Sequence, residues 1–211
     1  MDLSELIGQT DELQTVRQQL TQPGRHLLTG VLGSAKTLIL KSLFQQLKKP
    51  FLVVTDTLSH AQELAADLTN ILDAEQVQLF PVEELVATEI ATSSPDFQSQ
   101  RVRALTALSQ HKAKVVVTSA SGLRRRLVPV KMWNQNQLTF KVGAELDLEK
   151  ISHQLVQMGY QRQKLVDRPG DFAIRGSIID IYSLNHELPV RIDLFDTEID
   201  SIRFFEIGNQ R

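Results

Sequence analysis

Apolar positions in the first half of the chain form short continuous runs separated by longer stretches of helical period. Leu13, Val16 and Leu20, with Gln19 beside them, predict a first helix that Thr10 caps. His26 to Thr29 predicts a short strand leading into a glycine-bearing loop, and Thr37 to Leu47 a helix carrying Leu38, Ile39, Leu40, Leu43, Phe44 and Leu47, stopped by Pro50. Phe51 to Val54 is a continuous apolar run of the kind buried on both faces. A helix from about Ser59 to Leu72, a strand at Val77 to Phe80, a helix holding Arg101 to Leu108 and a strand at Val115 to Val117 follow. Strand and helix alternating at this spacing predict an α/β fold, a parallel sheet with helices on both faces.

The pattern changes after Arg124-Arg125-Arg126 and Pro129. From Leu138 it reads strand, one helix (Leu148 to Met158), then several strands of period two. Val190, Ile192 and Leu194 face one way, Arg191, Asp193 and Phe195 the other, with a hairpin turn at Asp196-Thr197. Two domains are expected, an α/β one over residues 1–125 and a smaller α+β one over 126–211. With no terminal helix or tail after the strand-rich stretch, the chain reads as part of something longer.

Composition narrows the classes of function. The chain has 211 residues, 42% hydrophobic and 23% charged, with formal net charge −2. That balance suits a soluble globular protein and gives no global pull toward nucleic acid or membrane. The absence of cysteine excludes disulfides and cysteine metal sites and fits a reducing compartment. No apolar run approaches the ~20 residues of a membrane span, and the N-terminus lacks a signal peptide's pattern, so a cytoplasmic protein is expected.

Gly30 to Thr37 (GVLGSAKT) resembles a phosphate loop, G-x-x-x-x-G-K-[ST], with Gly30, Gly33, Ser34, Lys36 and Thr37 in keeping and Ala35 in place of the second glycine. If Ala35 had to adopt a left-handed angle, the cost would be roughly 1–2 kcal/mol, which weakens nucleotide binding without abolishing it. Hydrolysis also needs an acid at the end of a neighbouring strand to hold magnesium. Asp56 is the one residue resembling it, on a strand where helicase folds do not place that acid. The strand at Val115 ends in Thr118-Ser119, and no aromatic precedes Phe44 to stack on adenine. The loop therefore reads as retained scaffold, with weak nucleotide binding as the alternative. The five histidines are scattered without metal-ligand spacing, no G-x-S-x-G motif is present, and the three-arginine run reads first as a solvated face.

The densest pattern runs from Gly159-Tyr160-Gln161-Arg162 through Phe172-Ala173-Ile174-Arg175-Gly176 and Ile178-Ile179-Asp180-Ile181-Tyr182 to Arg191-Ile192-Asp193-Leu194-Phe195-Asp196 and Glu198-Ile199-Asp200-Ser201-Ile202-Arg203. This succession resembles the UvrB-homology module shared by the excision-repair protein UvrB and the bacterial transcription-repair coupling factors. UvrB itself has an intact phosphate loop and a tyrosine-rich DNA hairpin. The matching place here, Leu79 to Glu84 and Ser93 to Pro95, has no tyrosine, and the whole chain has two. Stacking aromatics supply much of the affinity for a threaded strand, so their absence points to the coupling factors.

The resemblance implies a degenerate phosphate-loop, helicase-like parallel-sheet domain followed by an α+β module like UvrB domain 2. It implies a docking module for UvrA without ATPase activity of its own, with Arg162 and Arg175 in contact and an apolar residue near Ile179 contributing. A further basic position of UvrB falls on Ala173, which departs from the pattern. RNA polymerase and double-stranded DNA are implied as partners of other parts of the full-length protein. No cofactor is implied for this stretch, ATP and magnesium belonging to a C-terminal motor. A UvrB-type ATP-dependent repair helicase and a nucleotide-binding regulatory domain are the rival readings.

Overall fold

The computed structural model describes residues 3–83, 94–112 and 114–209. They group into two compact units, the described residues of Met1–Ala87 with Gln110–Arg125 and those of Thr88–Ser109 with Arg126–Arg211. The expected Glu84 and Ser93 positions lie outside the described residues.

The first unit holds α1 (Leu3–Gly8), α2 (Asp11–Gln19), α3 (Ala35–Leu47), β1 (Phe51–Thr55), α4 (Leu58–Ile71), β2 (Val77–Phe80), and, after a helix α5 (Pro95–Ser109) that groups with the second unit, β3 (Val115–Ser119) and the single turn α6 (Ala120–Leu123). Thr10 caps α2, as expected, its Oγ1 accepting from Leu13 N at 3.4 Å. The three strands form a parallel sheet in the order β1-β3-β2. Central β3 is buried along its whole length, and Ala61, Ala65 and Leu68 of α4 pack on Val77, Val115 and Val117. Those three α4 positions recur at helical spacing, which is why one face of α4 carries the core.

Two expectations fail here, for related reasons. His26 to Thr29 forms no strand and is exposed, Leu27 at 88%. A four-residue segment with two leucines becomes a strand only where a neighbour accepts its hydrogen bonds, and β1 is paired through β3 alone. For the same reason β1 is an edge strand rather than a doubly buried one: Leu52 is 60% and Val54 42% exposed, while Phe51 and Val53 join the core.

The second unit holds α5, α7 (Val130–Gln135), α8 (Leu148–Gln157), β4 (Gln161–Arg162), β5 (Asp171–Arg175), β6 (Ile178–Ile181), β7 (Val190–Phe195) and β8 (Glu198–Phe204). The strands form one mixed sheet in chain order, β4 parallel to β5 and every later pair antiparallel. Asp147 caps α8 by accepting from Glu149 N and Lys150 N. Ile151 and Leu155 of α8 meet Phe172, Ile179, Ile181, Ile192, Leu194 and Ile199 of the sheet. The expected alternation along β7 holds, and the hairpin turns at Asp196, whose φ is +58°.

Candidate functional site

Because side chains alternate along strands, the residues that interrupt the apolar pattern of β5, β6 and β7 share the sheet face opposite the core. Register sets Ala173, Asp180, Arg191 and Arg203 side by side in a row across four strands. Asp180 has no exposed surface. Its Oδ1 accepts from Arg191 Nε at 2.7 Å, and its Oδ2 accepts from Arg191 Nη2 at 2.8 Å and from Arg175 Nη2 at 2.5 Å. Arg191 is itself buried, its guanidinium 4.7 Å from the centre of the Phe205 ring. Hydrogen bonding to Asp180 raises the Arg191 pKa further above its ordinary value, against the opposing effect of burial. A neighbouring trio on the same face, Asp193 with Arg203 and Ser201, extends the polar row toward the sheet edge.

Arg175, expected as a docking residue, therefore stands at the mouth of a buried carboxylate, with 36% of its side chain exposed. Arg162 is exposed on the edge strand β4, paired in register with Phe172. Paired residues share a sheet face, so register places Arg162 with Phe172 and Arg175, three positions on, with the opposite face. Ile179, expected near the docking contact, has no exposed surface and sits in the core against α8. In this conformation it supports the sheet and offers no surface to a partner. Ala173, where the resemblance implied a basic residue, is 1% exposed and pairs with Asp180.

Asp180, Arg191 and Phe205 are functional candidates that the sequence alone did not bring forward. Alternation in Ile178-Ile179-Asp180-Ile181 and Val190-Arg191-Ile192 carried the signal for a shared face. Nothing in the pattern showed that this face would be closed over by Phe205.

The loop at Gly30 to Thr37 has positive φ at Gly30 (+77°) and Gly33 (+54°), where glycine is suited to the backbone. Ser34 is right-handed (φ −64°, ψ −14°), and Ala35 opens α3 two residues before the expected start. Ala35 is thus an ordinary first-turn helical residue, and the strain expected of it is absent. Lys36 is exposed and Thr37 is buried within the helix. Asp56, the candidate strand-end acid, accepts from Thr57 N at 2.9 Å and lies 2.6 Å from His60 Nδ1. These bonds place it in the turn that starts α4, beside the cap Thr57. Among the described residues no three His, Asp or Glu side chains converge as metal ligands. Arg124, Arg125 and Arg126 are exposed after α6. No helix among the described residues is long and apolar enough to cross a membrane.

Residues 138–211 match the UvrB interaction domain family. Along its whole length the chain is 38% identical to the transcription-repair-coupling factor of Bacillus subtilis (strain 168), and over 209 residues it is 40% identical to that of Staphylococcus aureus (strain USA300). It spans 18% of the length of each of these relatives.

Proposed function

We propose, from the match of residues 138–211 to the UvrB interaction domain family and the 38–40% identity to transcription-repair-coupling factors, that this chain is a protein-docking module that recruits UvrA to lesion-stalled RNA polymerase. The proposal reads it as the N-terminal part of a coupling factor whose other parts engage RNA polymerase and double-stranded DNA and use ATP with magnesium. The observation that carries the docking role is the setting of Arg175. A guanidinium exposed over a third of its side chain is held by a buried carboxylate on a sheet stiffened by α8. Arginine presents a planar fork suited to bidentate contacts and is enriched among residues that dominate interface energies. Arg162 supplies a second exposed guanidinium on the same sheet.

In this reading the first unit descends from a phosphate-loop, helicase-like fold and serves as scaffold. Two features support it. Ala35, Lys36 and Thr37 belong to the first turn of α3, and Asp56 is engaged by His60.

The test is binding of purified UvrA. Arg162→Glu and Arg175→Ala are each expected to weaken it by about tenfold or more, as hot-spot substitutions do. Charge reversal is suitable at Arg162 but not at Arg175, where a glutamate would face Asp180. Unchanged affinity in the double variant, with its melting temperature retained, overturns the assignment.

A further inference from the structure

We propose that Asp180 is the positioning residue of the docking surface: gripped by Arg191, it fixes the Arg175 guanidinium in the orientation in which it meets an acidic group of the partner. This deepens the docking reading and rests on it.

Asp180 is fully buried and both its oxygens are engaged, so it cannot touch a partner itself. Arg191 is 6% exposed, sealed by Phe205 and committed to Asp180 through two of its nitrogens. A two-point contact fixes the plane of the carboxylate as well as its place, because both oxygens are constrained together. Arg175 then bonds an oxygen whose position Arg191 has already set.

Of the two arginines that hold Asp180, Arg175 is the one that reaches solvent. Its attraction is for a carboxylate, and the orientation imposed by Asp180 makes that attraction directional. An unanchored arginine loses side-chain freedom on binding, and a pre-oriented one has lost part of it already.

A purely structural role explains the cluster less well. Buried ion pairs can be exchanged for apolar residues at little cost or with a gain in stability, so stability alone does not call for one. The sheet core of Phe172, Ile179, Ile181, Ile192 and Leu194 stands on the opposite face and does not depend on it.

The experiment is a double-variant cycle on UvrA binding, using Asp180→Asn, Arg175→Ala and both together. Positioning predicts that Asp180→Asn weakens binding about tenfold in the parent and leaves the Arg175→Ala protein's affinity unchanged. Equal loss in both backgrounds, or none in the parent, overturns the inference. Should Asp180→Asn fail to fold, Arg191→Lys keeps the charge count while replacing the two-point grip with a single contact. It is expected to give the same pattern with a smaller loss.

A second readout needs no partner. NMR of the arginine side chains is expected to show hindered rotation of the Arg175 guanidinium in the parent and faster rotation in Asp180→Asn. Free rotation in the parent sinks the positioning role whatever binds. Hindered rotation with no UvrA binding at all keeps the positioning role and removes UvrA as the partner.

Discussion

Asp56 Oδ1 and His60 Nδ1 lie 2.6 Å apart across the first turn of α4, both of them exposed. The hydrogen bond with Asp56 and its charge raise the His60 pKa above the ordinary 6.5; nearby Glu63 adds to the rise and Lys36 opposes it. The bonds from His60 and from Thr57 N lower the Asp56 pKa below 3.8. Raised in the folded state, His60 contributes stability that is complete below pH 6.5 and is lost as pH rises through its folded value. Asp56, depressed, contributes stability present above pH 3.8 and lost as pH falls through its lower folded value. NMR titration is expected to place His60 above 6.5 in the parent and closer to it in Asp56→Asn. A His60 midpoint unmoved by that substitution would remove the pair.

The buried cluster at Asp180 gives a larger effect. Removing one partner of a buried ion pair strands the other, at a cost of roughly 3–5 kcal/mol. Asp180→Asn is expected to lose about that much in urea unfolding, since Arg191 is then buried without its counter-charge. Combining Asp180→Leu with Arg191→Met is expected to recover most of the loss, Arg175 being exposed enough to remain hydrated. A double variant as unstable as the single one would show that the cluster's geometry, rather than its charge balance, sets the stability.

Ile179 separates folding from docking. Fully buried against Ile192 and the α8 side chains, it should cost about 2–5 kcal/mol when truncated to alanine. Any loss of UvrA binding is then expected to follow the unfolded fraction, disappearing at low temperature or in a stabilising osmolyte. Binding that stays lost in fully folded Ile179→Ala would mean that the side chain is uncovered in the complex.

Local pattern and long-range pairing divide what was legible in the sequence. The antiparallel part of the second sheet could be read because its strands carry their own evidence: Val190, Ile192 and Leu194 alternate with Arg191 and Asp193, and α8 shows a single apolar face, whereas the strand expected from Leu138 does not form. Asp180 and Arg191 could be placed together on the polar side for that reason. The covering of Arg191 could not, since the Phe205 ring that stands against its guanidinium follows β8. In the first unit the misreadings concern neighbours. Phe51 to Val54 looks identical as a central or an edge strand, and only the order β1-β3-β2 decides it. His26 to Thr29 has apolar content enough for a strand but no strand beside it among the described residues. The motif also hid a local fact: Ala35, read as a damaged loop glycine, is a good helix former at the start of a helix.

The place of Ala35 in the first turn of α3 can be measured. Were Ala35 a strained replacement for a left-handed glycine, Ala35→Gly would relieve strain and stabilise the protein. The residue instead opens α3 after a right-handed Ser34, and glycine in a helix is less favourable than alanine by roughly 0.5–1 kcal/mol. Ala35→Gly is therefore expected to lower stability slightly, by up to about that amount because the position lies in the first turn. It is also expected to leave the melting temperature as indifferent to millimolar ATP with magnesium as that of the parent, since ligand binding to the folded state alone would raise it. A clear ATP-dependent rise in the variant, abolished by Lys36→Ala, would show that one methyl group is what keeps this loop from nucleotide.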